Sequence, residues 1–241
     1  MSQLPAASIL DSFSGAFDFI FHQHDSITGA RIGGLGQVWD LTLTHLEVSA
    51  LALAAAVVLA LPAGLLLGHW GKGELLAVSI GNAGRAIPEL ALIAFMFAFV
   101  GVGVLNLTIA LLVLGIPPIL TNTFVGVRQV DRNAVEAARG MGMDPLTVVA
   151  KVELPLAVPT IMSGVRTAAI AIIATATIAP LGGVLTLGDF IINVNVYGDD
   201  GVLAGAILVA LLALSAELAL AGLERLLTPE GLRLQRRRAS A

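Results

Sequence analysis

Charge is scarce in this chain, so the few ionisable residues set among apolar neighbours are where chemistry would have to arise. Arg85, Glu89, Arg166 and Glu217 stand in otherwise apolar runs. A charge turned to lipid is costly, so each must face protein, water or the membrane interface. Arg85 and Glu89 are four residues apart and can pair on one helix face. Glu89 then either lines a solute path or helps set a kink beside Pro88. Arg166 sits roughly 10 Å into its apolar run, and Glu217 lies at a similar depth in another, at about 1.5 Å per residue. These two are expected to pair across neighbouring helices. His22 and His24 are close enough to share a metal ion but have no further ligands beside them, and a solvated turn is the better reading. Cysteine is absent, which removes disulfides, thiol chemistry and thiolate metal sites. His22, His24, His45 and His69 all fall at or outside the ends of the apolar runs. No His/Asp or Ser/His cluster is therefore expected at depth, and the chain is expected to carry no catalytic residue and no metal.

The densest charge lies in a polar island. Residues 131–159 hold Asp131, Arg132, Glu136, Arg139, Asp144, Lys151 and Glu153, seven charges in 29 residues. Asp131 can cap a short helix over Arg132 to Arg139, and Gly140 or Gly142 can end it. Asp144 before Pro145 reads as a second helix start. Pro155 and Pro159 are expected to stop that second helix. The result is a compact knob of two short helices, kept out of the bilayer by its charge.

What must position these residues is a membrane-embedded scaffold. The chain has 241 residues, 57% hydrophobic and 12% charged, with a mean hydropathy of +0.92. Soluble domains carry about 25% charged residues, so the composition indicates an all-α polytopic membrane protein. A net charge of −4 gives no sign of nucleic-acid binding. Residues 1–45 have no basic start of the kind a signal peptide needs. There Ile9, Leu10, Phe13, Ala16, Phe17, Ile20 and Phe21 recur at helical spacing opposite Asp11, Ser12, Ser14 and Asp18, which predicts an interfacial amphipathic helix with an acidic polar face. About five spans follow within 46–227, near 46–68, 75–103, 107–126, 160–180 and 202–223, and residues 228–241 form a basic tail. Pro62 and Gly64 should kink the first span, and Pro117-Pro118 should break the ladder of the third. HWGKGE at 69–74 and the glycines at 101 and 103 read as turns.

Basic residues orient the scaffold. Arg128, Arg132, Arg139, Lys151, Lys72 and the tail arginines fall on one side, which should be the cytoplasm. Residues 1–45 contribute only Arg31, and 104–107 and 181–201 contribute none. The N-terminus and the 181–201 loop are then expected outside, and the island and C-terminus inside.

The island also carries a spacing: Glu136-Ala137-Ala138, three residues, Gly142, nine residues, Val152, one residue, Leu154-Pro155. It resembles the signature of permease subunits of binding-protein-dependent ABC importers, with Val152 in place of the commoner isoleucine. The resemblance extends over about 45–229, through Arg85-Ala-Ile-Pro-Glu-Leu-Ala-Leu92, Ile161-Met-Ser-Gly-Val-Arg-Thr-Ala168, Leu187-Gly-Asp-Phe-Ile191 and Leu223-Glu-Arg-Leu-Leu-Thr-Pro229. Within that family it is similar to the permeases of osmoprotectant importers, whose solutes are quaternary amines such as glycine betaine, choline, carnitine or proline betaine. The alternative is a permease of the same architecture for another small solute such as an amino acid. Two departures concern solute choice: Glu89 stands where serine is common, and LGGVLTLGDF replaces a more compact glycine-rich run at 181–190.

The resemblance implies a type I importer permease fold and makes the island a cytoplasmic coupling helix, with Glu136, Ala137, Ala138, Gly142, Val152, Leu154 and Pro155 docking in an ATPase subunit. Implied partners are that cytoplasmic ATPase, a second permease chain (identical or paralogous), a separate extracytoplasmic substrate-binding protein and the lipid bilayer of a prokaryotic cell membrane. The chain itself should need no cofactor. It has no phosphate-binding G-x-x-x-x-G-K-[ST] loop, so ATP would be bound by the partner.

Overall fold

The computed structural model describes residues 6–26, 29–71, 73, 75, 79, 81 and 88–232. Its helices are α1 (Ala6–Phe21), α2 (Gly34–Trp70), α3 (Glu89–Val100), α4 (Val104–Arg128), α5 (Arg132–Gly140), α6 (Pro145–Val148), α7 (Leu154–Thr175), α8 (Gly188–Ile192) and α9 (Val194–Leu227). Strands β1 (Gln23–Asp25) and β2 (Arg31–Gly33) pair antiparallel, so the His22–Asp25 stretch enters a small hairpin instead of a plain turn. A π-turn (Val149–Glu153) joins α6 to α7, and a 3₁₀ turn (Ala176–Gly182) follows α7. Among the described residues, Gly34–Trp70, Val104–Arg128, Pro145–Gly182 and Val194–Leu227 are long and apolar enough to cross a membrane. They match four of the five expected spans. The fifth, 75–103, falls partly outside the described residues, and its described part is the apolar α3.

The helices run beyond the apolar stretches. α2 begins at Gly34, ahead of the expected span start at residue 46, with Asp40, Glu47 and their polar neighbours on exposed helix surface while Val38, Leu41 and Val48 pack inward. Pro155 and Pro159 do not stop a helix, since α7 runs through both to Thr175. The π-turn explains the first: the Leu154 amide donates to the Val149 carbonyl five residues back, opening a wider turn at the place where Pro155 lacks a donor. Pro159, Pro62 and the Pro117-Pro118 pair likewise lie inside continuous helices, as membrane helices tolerate when neighbours satisfy the freed carbonyls.

Contacts divide the chain into two compact units. The first comprises residues 1–51, 89–111 and 173–214. At its core the rings of Phe19, Phe190 and Tyr197 meet nearly edge to face, with centroids 4.9–6.2 Å apart. Val38, Leu41, Leu187 and Ala204 complete this core. His45 is fully buried here, and its Nε2–H donates to the Ile173 carbonyl at 2.9 Å. The buried Asp189 carboxylate accepts from Tyr197 and Asn193, both at 2.6 Å. The Tyr197 oxygen in turn accepts from Gln37, which places this polar chain between α2 and α9. Gly188 is dictated by space, because a Cβ there would lie 1.8 Å from the Thr177 carbonyl oxygen.

The second unit comprises 52–88, 112–172 and 215–241. Small residues recur every fourth position along α2 at Ala52, Ala56, Ala60, Gly64 and Gly68. This row lets α2 and α4 approach closely: a Cβ on Gly64 would meet Thr123 at 2.6 Å, and one on Gly68 would meet Val127 at 2.7 Å. Gly164 does the same for α7, where a Cβ would lie 2.6 Å from the Pro118 carbonyl. Ile119, Leu120, Ile161, Val165 and Ala168 fill the space between.

Candidate coupling segment

The charged island folds as two capped turns ahead of a long helix. Asp131 caps α5, its carboxylate accepting from the Asn133 amide at 2.9 Å. Gly142, not Gly140, makes the reversal: it has φ +84°, and amides of Met141, Gly142 and Met143 close back on carbonyls of Ala137, Arg139 and Ala138. Asp144 then caps α6, accepting from the amides of Leu146 and Thr147 at 3.1 Å each and from the Thr147 hydroxyl. The hydroxyl and the Thr147 amide hold the Asp144 carboxyl below the usual carboxylate range. Two side-chain caps and one left-handed glycine therefore fix the knob without a large core of its own.

The signature residues occupy distinct places on this frame. Glu136 and Ala137 are exposed on α5, whereas Ala138 is buried against the segment behind it. Val152, Leu154 and Pro155 are half-buried in the π-turn and the start of α7, so they form the base of the knob instead of its outer surface. α5 packs on α6 and on the π-turn, which makes these separate stretches one body. Between α5 and the ends of α2 and α4 lies a cavity of about 520 Å³ bordered by Arg128, Arg132, Arg139 and Glu136, with His69 and Glu153 at its wall.

Several features of the site were not foreseen from the sequence. Met141 and Leu146, 71% and 69% exposed, put two large apolar side chains at the tip of a charged knob, a surface suited to a partner groove. His69 and Glu153 are both buried, and the His69 Nδ1–H donates to the Glu153 carboxylate at 2.8 Å, tying the end of α2 to the π-turn. Nothing in sequence spacing links residues 84 positions apart.

Among the intramembrane charges, Arg166 bonds the Glu217 carboxylate as the spacing predicted, and also Glu224 at 2.9 Å. Glu224 lies two turns beyond Glu217 on α9, so one guanidinium bridges two carboxylates on a neighbouring helix. Glu89 is the exposed first residue of α3, and Arg85, with its expected pairing, lies outside the described residues. Among the described residues no group of three or more His, Cys, Asp or Glu is arranged to hold a metal ion. The island is a polar knob joined through the π-turn to the long apolar helix α7.

The model of a family described as binding-protein-dependent transport system inner membrane component matches residues 39–229. The chain is 42% identical over 200 residues to the carnitine transport permease protein OpuCB of Listeria monocytogenes, covering 83% of this chain and 90% of that protein. It is 39% identical to the choline transport system permease protein OpuBB of Bacillus subtilis, covering 82% and 91% respectively. The osmoprotectant import permease protein OsmW of Salmonella typhimurium is 33% identical, with 82% and 95% covered. Among solved structures, a chain of the MetNI methionine ABC transporter in an inward-facing conformation aligns with a TM-score of 0.69 at 22% identity, covering 81% of this chain and 98% of that one. That likeness bears on the fold, which is the type I importer permease fold expected from the signature.

Proposed function

Because this chain belongs to the family of binding-protein-dependent transport system inner membrane components, we propose that it is the membrane-spanning permease of an ATP-driven importer for quaternary-amine osmoprotectants such as glycine betaine, choline, carnitine or proline betaine. The observation that carries this reading is the 32–42% identity, over most of the chain, to permeases whose names specify carnitine, choline, glycine betaine or osmoprotectant transport. It favours these solutes over the amino-acid alternative.

In this reading α5 and α6 dock in a groove of a cytoplasmic ATPase subunit. Glu136 meets the polar rim, Ala137 allows close approach, and Met141 and Leu146 bury their apolar surface in the groove. ATP binding draws the paired ATPase subunits together, and the knob passes that motion through the π-turn into α7. One knob engages one ATPase subunit, so a second permease chain, identical or paralogous, completes the assembly. ATP hydrolysis belongs to the partner, and this chain supplies no catalytic group and holds no cofactor. The island and C-terminus face the cytoplasm, the N-terminus and residues 181–201 face outward, and an external binding protein delivers solute there. Arg166, Glu217 and Glu224 hold helices together and do not touch solute.

The test is uptake of labelled betaine, choline, carnitine and proline in cells lacking this chain, with and without the restored gene. Uptake of one or more quaternary amines should return with the gene, and recovery of proline uptake alone would overturn the solute assignment. Glu136→Arg should abolish uptake while the external binding protein keeps its solute affinity. Transport that survives this change would remove the coupling role.

A further inference from the structure

The helix α1 lies outside residues 39–229, the part of the chain that the family model covers. Its side chains divide into three faces, each roughly a third of the circumference at about 100° per residue. Ala16, Phe19 and Ile20 form the first and are buried in the core of their unit. Asp11, Ser14, Asp18 and His22 form the second, on which the His22 Nδ1–H donates to Asp18 at 2.7 Å. The third consists of Phe13, Phe17 and Phe21, spaced four apart, and these rings are 44%, 53% and 55% exposed. Three large aromatic rings in a row on a surface with water on one side only call for an apolar neighbour.

The packing of the buried face shows where along the membrane α1 sits. Ala16, Phe19 and Ile20 share a core with Val38 and Leu41, which belong to the first turns of α2, a helix long and apolar enough to span a bilayer. α1 therefore packs at one end of a membrane-crossing helix. The same turns of α2 expose a row of Leu35, Trp39, Leu43 and Leu46 beside Asp40 and Glu47, the mixture of an amphipathic tryptophan, apolar side chains and carboxylates found where acyl chains give way to headgroups.

We infer that α1 lies flat in the membrane interface, with Phe13, Phe17 and Phe21 among the lipid chains and Asp11, Ser14 and Asp18 toward water. Here the lipid-facing surface is the phenylalanine row alone. Ala16 and Ile20, which belong to the same apolar stripe in sequence, face protein. The helix carries two aspartates and no basic residue, so its binding draws on buried aromatic area and not on anionic lipid. A lipid-seated α1 also braces the segment behind it: Phe19 packs edge-on against Phe190 and Tyr197, and Gly15 abuts the Asp200 carboxylate.

The absence of native cysteine makes the test direct. F13C, F17C and F21C, with D18C and S14C as references, are made one at a time in the full chain. Each is labelled with an environment-sensitive fluorophore and reconstituted with its partner subunits in phosphatidylcholine vesicles containing lipids spin-labelled near the headgroup. Quenching at the three phenylalanine positions should exceed that at D18C and S14C by roughly twofold or more. It should also be unchanged when a fifth or so of the lipid is phosphatidylglycerol. Equal quenching at all five positions, or none at the phenylalanine positions, would overturn the inference. So would disulfide formation between two copies through F17C, which would assign the row to a second chain. The three positions report independently, so a variant that fails to assemble leaves the outcome readable from the others.

Discussion

At the scale of single residues, the charged side chains of the second unit act as fasteners. Arg166 satisfies two carboxylates at once, so the two sides of the bridge are unequal. Arg166→Met takes a bond from both Glu217 and Glu224, whereas Glu217→Gln leaves Arg166 its bond to Glu224. The first change should cost about 1.5–3 kcal/mol for each charged hydrogen bond lost, and clearly more than the second, in thermal unfolding of the detergent-solubilised protein. Exchanging the charges at 166 and 217 should restore stability only in part, because Glu224 then faces a carboxylate at 166. Asp144 gives a pH prediction. Its carboxyl is held low by the Thr147 hydroxyl first and then by the Thr147 and Leu146 amides, so its cap stabilises the knob at all pH values above the ordinary carboxylate value of 3.8. That stabilisation is lost as the pH falls through the depressed value, since the unfolded chain binds the proton more readily there. Hydrogen exchange over residues 141–150 should be flat from neutral pH down to about 4, after correction for intrinsic rates, and quicken in more acid solution. Asp144→Asn should show no such acid step.

At the scale of elements, the dominant device is the close approach of helices through small residues. Gly64→Leu would force a branched side chain into the Thr123 side chain and the Leu120 carbonyl of α4 and should destabilise by about 1–3 kcal/mol, read as a lower unfolding temperature. Gly188→Ala should be worse for its size, because the obstacle is a backbone carbonyl that cannot rotate away. Hydropathy made the spans legible because lipid is an unforgiving solvent for charge, and it located Val48–Gly68 and Val202–Leu223 inside the helices now seen. It did not show how far each helix runs beyond its apolar stretch. Asp40 and Glu47 are tolerated on α2 where that helix has exposed surface, and a hydropathy scan reads them as a stop. Short-range capping rules correctly placed Asp131 and Asp144 because both act within three residues of themselves. Proline rules failed at Pro155 because the π-turn opens the ladder at the place where proline lacks a donor. The Glu136–Pro155 signature was legible as spacing, while the exposed Met141 and Leu146 and the His69–Glu153 bond needed coordinates.

At the scale of the whole molecule, the proposed assembly has two permease chains and two ATPase subunits, and native mass measurement of the purified importer should give that ratio. A 1:2 ratio of permease to ATPase would contradict one knob per ATPase subunit. Met141→Ser with Leu146→Ser should weaken ATPase retention by roughly tenfold or more if these side chains sit at the centre of the contact, while the permease itself remains folded because both are exposed.

The π-turn between α6 and α7 has a consequence for phase. Val149–Glu153 holds one residue more than an α-helical turn of the same pitch would, so the knob and the span that follows are out of helical step by one position. Removing a single residue there would let the helix close its regular ladder. With α7 anchored by Arg166, about 100° of rotation would then fall on the knob. Glu136, Met141 and Leu146 would keep their local structure and their spacing, yet point along a different bearing. A chain with every signature residue present would then present its docking face to the wrong neighbour, which makes the compass heading of the knob, as much as its composition, something that five residues encode.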